Sequence, residues 1–535
     1  MARLKYPIGI QSFAQIREEG YVYIDKTDLV YDLVNTGAVY FLSRPRRFGK
    51  SLLLSTLECY FHGERDLFRG LKIDRLEKDW KKYPVFKIDF NGQDFTRPES
   101  LLQVLEAFVA NAERIYGASP DPVGLGMRFA YVLHAAHEQT GLRCVVLVDE
   151  YDKPMLDVLD TGYTCTVDGR QISLEDYHHN TLKSFYSVFK LASNDLKFVM
   201  LTGVTKFSQI SVFSGFNQPK DISMTPAWDA LCGITQEELD TQLAQPVRDM
   251  AEAMNMSFDE MRSTLSRQYD GYHFSSRMTD IYNPFSLLNA LDSQHLDDYW
   301  FKTGTPTYLI RLLAHFDENM NDIAGKYYDS AQFIDYKADK ERPLPMIYQS
   351  GYLTIKDYDR YSNSYLLDFP NNEVKKGFLT LLSANYLKSK EEPMSWLLAA
   401  QRALKQGKLS DFRDLLTTFL AGIPYSARRK ENEREQERYF QYTVYLLMHM
   451  LSCYTLYHEK ESSQGRADCV IETPNYVYIF EYKLNHPASE AIAQIEKKGC
   501  SLEYTLDKRT VYLVGVSFSS DTGTVSDWMV KRLVR

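Results

Sequence analysis

Val39-Tyr40-Phe41-Leu42-Ser43-Arg44-Pro45-Arg46-Arg47-Phe48-Gly49-Lys50-Ser51-Leu52-Leu53-Leu54 reads as a strand, a basic loop and a helix in immediate succession. The run from Val39 to Ser43 is apolar, and Leu52, Leu53, Leu54 and Leu57 recur at helical density. Gly49-Lys50-Ser51 at the mouth of that helix is the second half of a phosphate-binding loop. Backbone N–H groups and the helix N-terminus cradle phosphate, Lys50 reaches the terminal phosphates, and the Ser51 hydroxyl ligates magnesium. Arg44, Arg46, Arg47 and Lys50 put four cations within seven residues, and Arg46 and Arg47 join the candidate phosphate contacts. The first glycine of G-x-x-x-x-G-K-S is missing, because Arg44 stands in its place. A basic loop that merely caps a helix would carry the same residues.

A second motif separates the two readings. Further strands are expected at 85–90, 144–148 and 198–201 with helical stretches between them, the pattern of a parallel sheet covered on both faces. The strand at 144–148 ends on Asp149-Glu150, the arrangement in which one carboxylate holds the magnesium shell and the next polarises the attacking water. Thr202, at the end of the following strand, falls where such sheets sense the γ-phosphate. A polar insertion is expected over 161–176, and helices without strands from about 235 to 328. A hairpin follows at 352–369, which with its flanking helices suggests a winged-helix-like connector. The mixed charge run 428–435 marks the last boundary. The expected domains are thus a P-loop ATPase core over 1–232, a helical lid over 233–335, a connector over 336–430 and a separate α/β domain over 431–535.

In that last domain Gly465-Arg466-Ala467-Asp468 leads into one strand and Glu481-Tyr482-Lys483 ends the next. A hairpin of this length brings the two carboxylates to one point. Two acidic oxygens hold a magnesium ion, and a lysine two residues on lies on the same strand face as Glu481, where it orients water or offsets phosphorane charge. A salt-bridge ladder on an exposed strand is the plainer alternative. The almost wholly apolar strand 476–480 favours a functional end, since charges there emerge from a buried strand.

Composition narrows the field. The 535 residues suffice for about three or four domains. With 62 Lys and Arg against 71 Asp and Glu the net charge is −9, which excludes a chain-wide basic coat for nucleic acid. Seven scattered cysteines with no C-x-x-C pair read as reduced thiols. The N-terminus shows no signal-peptide core, and no stretch reaches about 18 apolar residues, so a cytoplasmic protein without a membrane segment is expected. The nearest candidate, 442–457, reads as a buried core helix. His134 and His137 lie on one helix without a carboxylate at metal spacing and read as structural, as do His178 and His179.

Several stretches together resemble the AAA-ATPase-like family of bacterial proteins: Arg44 to Ser51, Asp149-Glu150-Tyr151-Asp152-Lys153-Pro154, Phe213-Ser214-Gly215-Phe216-Asn217 and Tyr299-Trp300-Phe301-Lys302-Thr303-Gly304-Thr305-Pro306, with Tyr23-Ile24-Asp25-Lys26-Thr27 upstream. In that family the arginine-rich loop without its first glycine is the usual form. The C-terminal stretch resembles the PD-(D/E)XK nuclease superfamily. That resemblance implies Asp468 and Glu481 as metal ligands, Lys483 as the catalytic lysine, Glu437 as a further acid near the metal and Gln494 as a support from the second helix. Gly499-Cys500 departs from relatives that often carry tyrosine there. The reading that follows is an α/β protein in which an AAA-like P-loop NTPase with a helical lid precedes a restriction-endonuclease-like domain. It binds ATP with Mg2+ and cleaves phosphodiester bonds with Mg2+ or Mn2+. Glu150 serves the first reaction, and Asp468, Glu481 and Lys483 the second. The expected partners are ATP and nucleic acid, DNA ahead of RNA, with no membrane; the oligomeric state stays open. The alternative is an ATP-dependent switch or scaffold whose C-terminal domain binds without cutting.

Overall fold

The computed structural model describes residues 4–121, 123–206, 219–303, 307–314, 323–334, 343–387, 393–423, 440, 443–444, 446–448, 455–462 and 465–533. The family-like stretches 213–217 and 304–306, the charge run 428–435 and Glu437 lie outside the described residues. Two compact units are present, Met1–Val374 and Lys375–Arg535.

In the N-terminal unit, β1 (Val39–Ser43), β2 (Val85–Asp89), β3 (Cys144–Asp149), β4 (Leu196–Gly203) and β5 (Lys220–Asp221) form one sheet in the order β2-β3-β4-β1-β5. Every pairing is parallel. Every residue of β3 is buried, which its unbroken apolar run requires of a strand covered on both faces. Helix α1 (Lys50–Phe61) begins directly after the basic loop and packs against β3. Because β4 lies between β1 and β3, the loops leaving the C-terminal ends of these three strands converge, the place where open parallel sheets bind ligands. The fifth strand, Lys220–Asp221, is an addition to the four expected. The polar insertion forms a short hairpin, Thr164–Val167 with Arg170–Ser173.

Helices follow as expected. Capping boxes at Thr235 and Ser257 open two of them, and Asn283 caps a third with Pro284 at its first position. Their core joins Leu239, Val247, Met250, Met261, Leu265 and Leu287. Lys26, from the upstream family-like stretch, donates to Glu238 Oε1 at 2.7 Å and so ties the N-terminal segment to this helical part. The expected hairpin is β7 (Thr354–Asp359) with β8 (Ser364–Asp368), joined on the β8 side by β6 (Lys326–Asp329).

The C-terminal unit holds a mixed sheet of five strands in chain order: β9 (Thr455–Ser462), β10 (Gly465–Glu472), β11 (Tyr476–Leu484), β12 (Thr510–Phe518) and β13 (Val525–Arg532). Only β11 and β12 run parallel, and helix α2 (Ala488–Lys497) makes the crossover between them and packs on both. The edge strands β9 and β13 were not expected. Strand β9 corrects the reading of 442–457 as one helix, since 455–457 are strand; Thr443, Val444 and Leu446 to Met448 are helical and buried. Cys500 lies in the core cluster with Val470, Ile495 and Val511, so the departure from tyrosine falls on packing. Among the described residues no helix is long and apolar enough to cross a membrane.

Candidate functional site

The loop after β1 is built around a buried ammonium. Gly49 caps α1 with φ +91°, and Arg47 before it has φ +69°. A Cβ at Gly49 would meet nothing within 4 Å, so backbone conformation and not space calls for glycine there. Lys50 is 6 % exposed and donates to the carbonyls of Arg44 at 2.9 Å and Pro45 at 3.1 Å. Burial lowers its pKa, while Glu150, Asp149 and Asp152 oppose that shift.

Arg44 does not join the other cations. It is 2 % exposed, and its guanidinium donates to the carbonyls of Ser43, Ser223 and Trp228 and lies 4.0 Å over the Phe274 ring. The residue in place of the first glycine is therefore a strut binding the loop to the segment after β5. Arg46 and Arg47 are exposed at the rim, Arg47 stacked 4.8 Å over Phe285. The Arg46 carbonyl accepts from Trp300 Nε1 at 3.0 Å, and Trp300 N donates to Glu373, so the Tyr299–Lys302 stretch grips the loop from the helical side.

Arg46, Arg47, Gly49, Lys50, Ser51 and Glu150 line one cavity of about 450 Å3, within the usual range of small-molecule sites. Its other wall was not foreseen: residues 7–11 of the N-terminal segment, with Pro284, Phe285 and Leu288. Nothing in residues 7–11 marks them as site-forming, since they contribute through placement. Asp149 and Thr202 are buried alongside, joined by a 2.7 Å bond from Thr202 Oγ1 to Asp149 Oδ1, which also accepts from Glu150 N at 3.0 Å. Neither lines the cavity, and Thr202 relates to it through Asp149. Burial raises the Glu150 carboxyl against the pull of Lys50, and Glu150 holds φ +47°. Asp152 receives Val204 N, Thr205 N and Thr205 Oγ1, locking the β3 and β4 loops together. The chain passes so close that a Cβ at Gly203 would lie 2.6 Å from Asp152 Oδ1.

In the C-terminal unit the β10–β11 register pairs Cys469 with Phe480, and one further step sets Asp468 opposite Glu481. Asp468 Oδ2 accepts from Tyr482 N at 2.8 Å. Its carboxyl is pushed up to about 6 by burial and then by Glu481. Glu481 is 1 % exposed; Oε1 accepts from Lys498 at 2.8 Å, and Oε2 is buried without a partner. Lys483 lies 4.0 Å from Oε1 and donates to Gln494 Oε1. Asp468, Glu481, Lys483 and Gln494 thus come together. Lys498, which sequence reasoning passed over, completes the group from the end of α2. Two buried acids side by side, one oxygen unpartnered, form a donor set that suits a hard divalent cation. Among the described residues no cluster of three or more His, Cys, Asp or Glu is placed to hold a metal ion, so this unit offers a pair. His134 and His137 do find a carboxylate: both face Asp195 Oδ1, at 3.3 and 2.8 Å, which corrects the expectation that they lack one.

A family model described as "Predicted AAA-ATPase" matches residues 7–213, and one for the PD-(D/E)XK nuclease superfamily matches 435–528. An uncharacterized protein in the vnfD 5′ region of Azotobacter chroococcum mcd 1 is 35 % identical over 543 residues, covering 100 % of both chains.

Proposed function

The chain belongs to the AAA-ATPase-like family and ends in a PD-(D/E)XK nuclease superfamily domain, and from that premise we propose an ATP-binding and ATP-hydrolysing module whose nucleotide state governs a metal-dependent nuclease acting on nucleic acid, DNA ahead of RNA. The observation that carries the reading is the facing pair Asp468 and Glu481 with Lys483 on the same strand face. We read 233–335 as the lid, 336–430 as a winged-helix-like connector and 431–535 as restriction-endonuclease-like.

In the first site Lys50 exchanges its two carbonyl partners for the terminal phosphates of ATP, and the N–H groups opening α1 receive the same oxygens. Ser51 and Asp149 would hold Mg2+, with Thr202 fixing the Asp149 carboxylate. Glu150 polarises the attacking water. Arg46 and Arg47 meet phosphate charge at the rim, and the wall of Ile8, Ile10, Phe285 and Leu288 receives the base. In the second site Asp468 and Glu481 would hold Mg2+, or Mn2+ in its place, and Glu437 is a further acid by family resemblance. The ion supplies Lewis-acid stabilisation and a more acidic bound water. Gln494 orients Lys483, whose ammonium positions water and offsets charge gathering on the phosphate.

The test is degradation of linear DNA by the full chain with Mg2+ or Mn2+, with and without ATP, beside Glu481→Ala and Lys50→Ala. Cleavage absent from Glu481→Ala and altered in Lys50→Ala is the expected result. No cleavage of DNA or RNA under any nucleotide condition sinks the nuclease reading in favour of a switch that binds without cutting. Equal cleavage with and without ATP removes the coupling.

A further inference from the structure

Lys498 and not Lys483 is the direct counter-ion of the buried acid. Its ammonium reaches Glu481 Oε1 at 2.8 Å, against 4.0 Å for Lys483, which Gln494 engages. Lys498 is the C-cap residue of α2, and its ammonium also donates to the Arg466 carbonyl at 2.9 Å. A cation at a helix C-terminus is favoured on its own account, so position alone assigns it no role. The exposures do more. The side chains of Lys483 and Lys498 are 22 % and 27 % exposed while Glu481 is 1 % exposed, so solvent meets the lysines before the acid. Asp468 and Glu481 are balanced by these two lysines, and a divalent cation entering between the carboxylates meets a positive charge already on Oε1. Only Glu481 Oε2 is without a partner.

We propose that Lys498 is a displaceable stand-in cation: it satisfies Glu481 in the metal-free protein and yields that oxygen when a divalent ion binds, remaining held by the Arg466 carbonyl beside the carboxylates. The proposal rests on reading Asp468 and Glu481 as metal ligands. It divides labour between the lysines: Lys483, fixed by Gln494, serves the reaction, and Lys498 sets how readily the ion enters. The metal-free site is neutral, so the ion binds more tightly once a phosphodiester adds its own negative charge, and by reciprocity the ion tightens nucleic-acid binding.

Mn2+ affinity of the nucleotide-free full chain tests this by calorimetric titration. Removing an adjacent charge moves an ionic equilibrium by about ten-fold or more, so Lys498→Met binds Mn2+ about ten-fold more tightly than wild type. Lys498→Gln, which keeps a hydrogen-bond donor, gives the same gain if the methionine variant folds poorly. Lys498→Arg, which keeps the charge, stays near wild type. A merely structural lysine would not tighten metal binding when removed. Equal or weaker Mn2+ binding in both neutral variants, with binding lost in Asp468→Asn, overturns the role of Lys498 alone. Mn2+ binding that is absent, or that Asp468→Asn leaves unchanged, overturns the metal-site reading and this proposal with it.

Discussion

In the N-terminal unit the buried site charge is a cation, Lys50, and backbone satisfies it: two loop carbonyls on a loop braced by Arg44. In the C-terminal unit the buried charges are acids, and side chains satisfy them: Lys498 on Glu481, with Lys483 behind it. Backbone dipoles give way to a full negative charge, so the first arrangement awaits an anion that outbids two carbonyls. A mobile ammonium gives way to a denser positive charge, so the second awaits a cation. One site is preformed for phosphate and the other for metal, and each is held in its resting state by the weaker version of its ligand.

The comparison breaks first at the lysine that is not the counter-ion. If Lys483 serves chemistry while Lys498 serves charge balance, Lys483→Ala lowers the cleavage rate by about 10²–10⁴-fold, the range for a positioned proton-transfer or charge-offsetting group. Mn2+ affinity in Lys483→Ala stays closer to wild type than in Lys498→Met. Single-turnover cleavage beside the metal titration separates the two, and a rate within a few-fold of wild type would return Lys483 to a structural role.

The next test strikes the other side. Lys50→Met removes the ammonium that phosphate would capture but leaves the apolar stem. The ligand-free protein should melt at or above the wild-type temperature, because a desolvated cation has gone. ATP-Mg2+ at a hundred times its wild-type dissociation constant stabilises wild type by about 2.7 kcal/mol, and that shift should vanish in the variant. Differential scanning fluorimetry reads both effects, and an undiminished ATP shift would detach Lys50 from nucleotide binding.

Restoring the generic loop sharpens the point about backbone. Arg44→Gly completes the textual phosphate-loop pattern, yet it strips donors from the carbonyls of Ser223 and Trp228. Stranding buried acceptors costs about 1–3 kcal/mol each, so the variant should unfold at lower denaturant and bind ATP no better. A more stable glycine variant would show that the strut is dispensable.

What was legible in the sequence follows from the same division. The strand, loop and helix at Val39 to Phe61, the acids ending β3 and the Asp468, Glu481, Lys483 set are local in the chain, so spacing alone carries them. Lys498 and residues 7–11 enter only because packing aims them, and no short-range pattern marks a lysine after a helix or an N-terminal Ile-Gly-Ile as part of a site. The edge strands β9 and β13 carry charged and polar residues among their apolar ones, since an edge has one neighbour and weak alternation. Thr455-Leu456-Tyr457 continues an apolar run, and periodicity cannot divide helix from buried strand over so few residues. Arg44 looked like one more cation because its sequence neighbours are cations. Its partners, Ser223 and Trp228, lie about 180 residues away.

A third buried charge tests whether partners decide the outcome. Glu373 is fully buried and accepts from Ser286 Oγ at 2.7 Å and Trp300 N at 2.6 Å, with Asp298 close enough to repel it. No cation is among the influences on it as there is at Glu481, and burial pushes its carboxyl up to about 8. A carboxyl raised in the folded state favours folding when protonated. Its contribution is therefore complete below the unfolded value near 4.3 and is lost as pH rises through about 8. Glu373→Gln holds the same shape without the titration, its amide accepting from Trp300 N and meeting Ser286 Oγ. Stability of the variant should match wild type near pH 5 and exceed it increasingly from pH 7 to 9, as followed by urea unfolding at a series of pH values. A parallel pair of curves would mean that Glu373 stays ionised and that backbone and hydroxyl donors alone can hold a buried acid. The cations around Glu481 would then be there for ligand exchange and not for solvation.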